Sequence, residues 1–131
     1  MSVLYYTPKN FSAGVSFQKR LFSLFPQFEL EVFFSIPSLE ARLAMSSVNI
    51  QVIVMMPNNH KRVKDLCSLI ELLSGHRTVL VLPDRKQQTV SKGIELVPRY
   101  IGYADTDLKD VEAVLSKILL LHSSPHSTRH F

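Results

Sequence analysis

The segment Ile50 to Met55, IQVIVM, is a nearly continuous apolar run, and Thr78 to Leu82, TVLVL, is a second run of the same kind. Such runs are typical of central strands in a parallel sheet, which helices cover on both faces. The residues between them, His60 to Leu73, carry apolar side chains at helical spacing, and Gly75 follows as a stop signal. This order of strand, helix and strand predicts a βα unit of a parallel sheet.

Similar units flank this centre on both sides. Phe28 to Phe34, FELEVFF, begins with alternating apolar and acidic residues, which places this strand at or near a sheet edge. Residues 85–92 are polar and basic with Val90 alone apolar, so the fourth helix is predicted to be short or mobile. The remaining strands are predicted at Ser2 to Tyr6 and Arg99 to Tyr103, with helices that follow Ser12, Ser35 and the Asp105–Asp107 segment.

Five such units predict an α/β protein with a three-layer, doubly wound (βα)5 flavodoxin-like fold and a parallel sheet in the order 2-1-3-4-5. The 131 residues suit a single domain, which we place at residues 1–122. Residues 123–131 are mostly polar and include Pro125, so we expect them to form a disordered C-terminal tail.

Composition and charge narrow the class of protein. The formal net charge of +4 is a mild excess that does not favour nucleic acid as a partner. Apolar runs are too short for a membrane span, and residues 1–6 lack the pattern of a secretion signal. Cys67 is the single cysteine, which excludes an internal disulfide and a multi-cysteine metal cluster. We therefore expect a cytoplasmic protein that does not contact a membrane.

Ligands of a doubly wound sheet bind at its carboxyl edge, meaning the loops that follow the carboxyl ends of the strands. The first of these loops, Thr7-Pro8-Lys9-Asn10, contains a proline and no glycine. A loop that cradles phosphate with backbone amides needs glycines and free amide protons, so a nucleotide or flavin site is not favoured here. Thr7, Lys9, Asn10 and Ser12 remain able to hold a small anion.

Three local segments resemble one known family. They are VIVMMP at Val52 to Pro57, the passage from Ile70 to Leu82, and the passage from Gly93 to Leu119 with its glycine loop, aromatic strand and acid-capped helix. Together with the segment lengths, they resemble the receiver domains of bacterial two-component response regulators, over about residues 2–122.

The resemblance implies a set of catalytic positions, and this chain departs from the family at each one. Receivers carry an acidic pair after the first strand, an aspartate after the third that takes the phosphoryl group, a hydroxyl residue after the fourth and a lysine after the fifth. The matching residues here are Thr7 with the tyrosines before it, one of Ile53, Met55 and Met56, then Pro83, and Tyr103. We therefore expect a degenerate receiver, or pseudo-receiver, that is not an enzyme and has no metal or cofactor.

A protein-interaction surface is predicted on what we call the fifth-strand face, formed by the fourth predicted helix, the fifth strand and the last helix. Basic and aromatic residues gather there, a combination that protein interfaces enrich, and the last helix is apolar around much of its circumference. The residues are Arg85, Lys86, Lys92, Arg99, Tyr100, Tyr103, Val114, Ile118, Leu120 and Leu121.

The resemblance points to the same face, because receivers use it for output and dimerisation. We expect a role in signal transduction through a second copy, a histidine kinase or an effector protein. Two alternatives remain open: a flavodoxin-like domain that binds a nucleotide or another small molecule, and an adaptor that binds nucleic acid.

Other chemically capable residues receive simpler interpretations. Cys67 is predicted to be a buried structural thiol in the middle of a helix. His122, His126 and His130 are four apart, but Pro125 interrupts any helix there, so a solvated tail is expected. Asp84, Asp105 and Asp107 are predicted to cap the helices that follow them.

Overall fold

In the computed structural model, residues 1–46 and 48–123 are described, the last three as helix backbone only. Within these residues the strands are β1 (Ser2–Tyr6), β2 (Glu29–Phe33), β3 (Ile50–Met55), β4 (Thr78–Leu82) and β5 (Tyr100–Tyr103). The helices are α1 (Ser12–Leu24), α2 (Ile36–Met45), α3 (His60–Cys67), α4 (Ile70–Leu73), α5 (Gln87–Glu95) and α6 (Lys109–Ser123). The predicted tail, apart from the backbone of Ser123, lies outside the described residues, as does the side chain of Leu121.

The strands form one parallel sheet in the order β2-β1-β3-β4-β5, which confirms the predicted topology. β1 is paired on both sides, so that Tyr6 lies opposite Phe33 of β2 and Met55 of β3. β2 occupies one edge of the sheet, as its partly acidic sequence predicts, and β5 occupies the other.

Helices cover both faces of the sheet and complete the three layers. Along β1, Val3 and Tyr5 face one core while Leu4 and Tyr6 face the other, as the two-residue period of a strand requires. The first core contains residues of α1 and α6, and the second contains residues of α2 to α5. Among the described helices, none is both long enough and apolar enough to cross a bilayer.

The segment from His60 to Leu73 forms two helices where one is predicted. α3 ends at Cys67 and α4 begins at Ile70. Between them, the amides of Ser68 and Leu69 donate to carbonyl oxygens three residues earlier, which is the pattern of a tight 3₁₀ turn. The turn directs Leu69 into the core, where it is 2% exposed.

The fourth predicted helix is longer and more regular than expected. It corresponds to α5, which has nine residues and buries Thr89 and Gly93 on its inner side. A Cβ atom at Gly93 would lie 3.0 Å from a methyl group of Leu80, so glycine allows α5 to pack closely on β4. Thr89, four residues earlier, is also buried, and its hydroxyl lies 3.4 Å from Nδ1 of His60 in α3. A search of the sequence for large apolar residues does not detect either small residue.

Candidate functional site

Large neutral side chains close the carboxyl ends of β1 and β3. Tyr5, Tyr6, Met55 and Met56 are each at most 1% exposed, and Thr7 is fully buried. The Thr7 hydroxyl donates a hydrogen bond of 3.1 Å to the carbonyl oxygen of Met56, which ties the two strand ends together. At these strand ends the carboxyl edge is therefore an extension of the core.

The Tyr5 hydroxyl connects the sheet to the start of α1. It donates a hydrogen bond of 2.7 Å to the carbonyl oxygen of Gly14 and lies 3.5 Å from the Met56 sulfur. A Cβ atom at Gly14 would overlap the Thr7 hydroxyl, so glycine is required for this close approach. Burial raises the pKa of Tyr5 well above its usual range, so its phenol stays neutral.

The three candidates for the phosphoacceptor position are all apolar and buried. Ile53 lies in the middle of β3, Met55 ends the strand, and Met56 begins the loop. Each is 0% exposed, and the successive side chains Met55 and Met56 belong to opposite cores. None of the three carries an oxygen that could attack a phosphoryl group or bind a cation.

The ends of β4 and β5 carry Pro83 and Tyr103. The Arg85 guanidinium lies 4.0 Å from the centre of the Tyr103 ring and forms two hydrogen bonds with Asp105, of 3.2 and 3.1 Å. The same contact holds the pKa of Asp105 below its usual range. Asp105 is therefore engaged with Arg85, and the capping predicted for it is not seen.

Asp107 accepts a hydrogen bond of 3.1 Å from the amide of Lys109, the first residue of α6, so the prediction that it serves the start of that helix is confirmed. Asp84 accepts one of 2.9 Å from the amide of Lys86, which precedes α5, and α5 has no side-chain cap, so the cap predicted for Asp84 is not seen. Among the described residues, no group of three or more His, Cys, Asp or Glu side chains could hold a metal ion. The acidic side chains near the carboxyl edge thus accept hydrogen bonds from backbone amides at or before helix starts, or form an ion pair.

The fifth-strand face consists of α5, β5 and α6 in the structure. Arg85, Lys86 and Arg99 are exposed, and Leu120 is 52% exposed. Lys92 forms an ion pair of 3.4 Å with Glu95. These residues lie on an accessible surface, as the prediction requires.

Part of the predicted apolar patch does not belong to this surface. Ile118 is 4% exposed and packs in the core on the α6 side of the sheet, so its assignment to the surface is wrong. Val114, Tyr100 and Tyr103 are half-buried against the cores. The apolar circumference of α6 is broad because its inner side fills a deep core. Among the predicted patch residues of α6 whose side chains the structure describes, Leu120 is the exposed one.

Two exposed apolar residues at and beyond the end of α5 escaped the sequence prediction. Ile94 is 59% exposed at the end of α5, and Val97, just beyond it, is 81% exposed. Val97 also has φ of 49°, a left-handed conformation that is unusual for a β-branched residue. Gly93 and Leu96 are buried, so the side chains that follow each of them, Ile94 and Val97, point outward. A position directly after a buried one is the feature by which the sequence could have identified them.

Cys67 lies at the end of α3 and is half-buried, so its prediction as a buried residue in mid-helix is wrong in position. Its thiol is 3.4 Å from the carbonyl oxygen of Lys92, to which it donates. Desolvation raises the pKa of the thiol, so the reactive thiolate is disfavoured.

The fold is shared with a known structure. No protein-family model matches the chain, and no characterised protein matches it in sequence. The crystal structure of a CheY-like protein, TadZ, from Pseudomonas aeruginosa PAO1 is similar with a TM-score of 0.60 at 13% identity, over 90% of this chain and 94% of that one. The chain has a CheY-like fold. At this identity the likeness concerns the fold alone.

A cavity of about 680 Å³ lies beside the sealed strand ends of this CheY-like fold, on the α2 and α3 side of the sheet. We call it the edge cavity. It is bounded by the loops after β1, β2 and β3 and by α3. Its lining residues are Tyr6, Pro8, Lys9, Asn10, Phe34, Ser35, Ile36, Pro37, Asn58, Arg62, Asp65 and Ser68. Of these, Lys9 and Asn10 belong to the small-anion prediction, and Thr7 and Ser12 do not line the cavity.

Proposed function

We propose that this protein is a receiver-like signalling module that works without phosphoryl transfer, through protein contacts made by its fifth-strand face. The observation that carries the proposal is the sealed carboxyl edge. Phosphoryl transfer in receivers needs a cation held by carboxylates and an acceptor oxygen. Here the corresponding strand ends present Tyr5, Tyr6, Thr7, Met55 and Met56, all buried and neutral.

Restoring phosphoryl transfer at this edge would require more than one substitution. A carboxylate at Met55 would sit in a site without solvent, and an ionised group there is strongly disfavoured. At the end of β5, the Tyr103 ring packs against the Arg85 guanidinium, which also forms a hydrogen bond with Asp105. These arrangements support a non-enzymatic role.

The fifth-strand face supports a role in protein contact. β5 is an edge strand of four residues, and the exposed side chains Ile94 and Leu120 lie on α5 and α6, the helices before and after it in the chain. Exposed apolar residues among charged ones are the usual composition of an interface. The partner we propose is a second copy, a histidine kinase or an effector protein in the cytoplasm.

Nucleic acid receives less support as a partner. Arg85 is paired with Asp105, and Lys92 with Glu95, so two of the predicted basic side chains already face carboxylates. The phosphates of a nucleic acid would have to displace these carboxylates from Arg85 and Lys92. Because the basic side chains are paired in this way, the net charge of the face is low.

The experiment compares association with and without an intact face. Light scattering over a range of concentrations tests for a dimer, and affinity capture from the native cell extract tests for another partner. Ile94→Glu should abolish whichever association the wild type shows. Met45→Glu is the matched control, because Met45 is 81% exposed near the opposite edge of the sheet. A monomer that captures no protein, or equal loss in both variants, would overturn the proposed face.

A further inference from the structure

Tyr6 provides an unusual polar group at the floor of the edge cavity. The residue is 1% exposed, yet it lines the cavity together with Arg62 and Asp65. Among the described residues, none forms a hydrogen bond with its hydroxyl, which is not among the buried unsatisfied atoms and so reaches the cavity surface. Burial of the residue raises the pKa of the phenol. A hydroxyl at a cavity surface without a protein partner is a donor available to a ligand.

The charges around the cavity favour an anion. Lys9 forms no ion pair with any described residue. Arg62 is bonded to Asp65 through one nitrogen at 3.0 Å, which leaves further guanidinium donors free. Asp65 is the only carboxylate among the lining residues, so the wall carries a net positive charge.

Apolar side chains also line the cavity. Phe34, which is 44% exposed, is one of them, together with Pro8, Ile36 and Pro37. Exposed aromatic and proline side chains offer a flat surface on which a ring can stack. The volume of about 680 Å³ lies within the usual range for small-molecule sites.

We propose that the edge cavity binds a small phosphomonoester with a flat aromatic body, of the size of a nucleoside monophosphate. The phosphate accepts hydrogen bonds from the Tyr6 hydroxyl, Arg62 and Lys9, and the ring lies against Phe34. Because the loop after β1 contains Pro8 and no glycine, side chains and not backbone amides hold the phosphate. This site is separate from the fifth-strand face and goes beyond the function proposed above.

The test is a calorimetric titration of the whole protein with adenosine monophosphate, adenosine and inorganic phosphate, each in buffer with a metal chelator. Adenosine monophosphate should bind, and both adenosine and inorganic phosphate should bind at least about tenfold more weakly, since each lacks one half of the ligand. Binding without a divalent cation is expected because cavity side chains supply the positive charge.

Variants locate the site within the protein. Arg62→Gln should weaken the binding of adenosine monophosphate about tenfold or more, because it removes a charge-assisted contact. Tyr6→Phe keeps the buried ring and should weaken the binding of adenosine monophosphate about five- to tenfold. Lys61→Gln is the matched control, since Lys61 is exposed on the same helix and does not line the cavity. Its effect should stay below about twofold. Thermal unfolding without ligand confirms that each variant is folded.

Three results would overturn the proposal. They are failure of adenosine monophosphate to bind, binding no tighter than that of inorganic phosphate, and equal weakening by Arg62→Gln and Lys61→Gln. Any of them would leave the fifth-strand face untouched, because that surface is tested by association and not by ligand binding.

Discussion

The carboxyl edge and the fifth-strand face use similar residue types in opposite ways. At the carboxyl edge, Tyr5 and Tyr6 are buried, and their rings belong to the two cores on either side of the sheet. Tyr103 ends β5 where the carboxyl edge meets the fifth-strand face, and it is half-buried and packs against Arg85. The ends of β1 and β3 are thus part of the core, whereas the side of the fold at α5, β5 and α6 keeps exposed side chains. Substitutions in the two regions should therefore differ in their effect on the free energy of unfolding.

Met55→Asp should have the largest effect on stability. The new carboxylate would be buried without a partner, and we expect the free energy of unfolding to fall by about 3–5 kcal/mol. Met45→Asp places the same group at a position that is 81% exposed, and should cost less than about 0.5 kcal/mol. Urea unfolding measures both. Similar stability of the two variants would mean that the carboxyl edge is open to water, contrary to our description.

Tyr5→Phe should have a smaller effect at the same edge. It removes the hydroxyl that donates to the Gly14 carbonyl oxygen at 2.7 Å and links β1 to α1. We expect a loss of about 1–2 kcal/mol by the same measurement. A variant as stable as the wild type would show that the link between β1 and α1 contributes nothing.

The Glu31–Arg42 ion pair should have an effect that depends on pH. Arg42 lies 2.8 Å from Glu31 and, through this hydrogen bond, lowers the pKa of the Glu31 carboxyl. A lowered pKa in the folded state stabilises the protein above the unfolded-state pKa, and the contribution disappears as pH falls through the folded-state pKa. Glu31→Gln should therefore cost about 0.5–1 kcal/mol at pH 7 and progressively less as the pH approaches 3. A constant difference between pH 7 and pH 3 would contradict this origin.

Ile94→Glu and Leu120→Glu should have the smallest effects on folding. Both side chains are more than half exposed, at 59% and 52%, so each change should alter the free energy of unfolding by less than about 0.5 kcal/mol. Ile118→Glu is the informative contrast, because Ile118 is 4% exposed. This substitution should lower the free energy of unfolding by several times as much. Equal effects at Leu120 and Ile118 would remove the distinction between surface and core on α6.

The strands and their order could be predicted from the sequence because the pattern is local. Apolar runs such as Ile50–Met55 mark buried strands, and the acidic alternation of the second strand marks an edge. The neutral residues at the strand ends could also be identified, since a missing carboxylate is visible in the sequence itself.

The orientation of helices could not be predicted in the same way. Which side of α6 faces the sheet depends on packing, so Ile118 and Leu120 look alike in sequence but differ in the structure. The pairing of Arg85 with Asp105 joins residues twenty positions apart through two loops. The edge cavity likewise exists only after three loops and α3 have been brought together. These features depend on tertiary structure, which periodicity does not encode.

The most direct test of the central claim follows backbone amide signals by NMR during titration with Mg²⁺ and then with beryllofluoride, which mimics a bound phosphoryl group. If the sealed carboxyl edge does no phosphoryl chemistry, the amides of Thr7, Met56 and Tyr103 should keep their chemical shifts throughout. A saturable, Mg²⁺-dependent shift at these three amides would show an active receiver site and contradict the account.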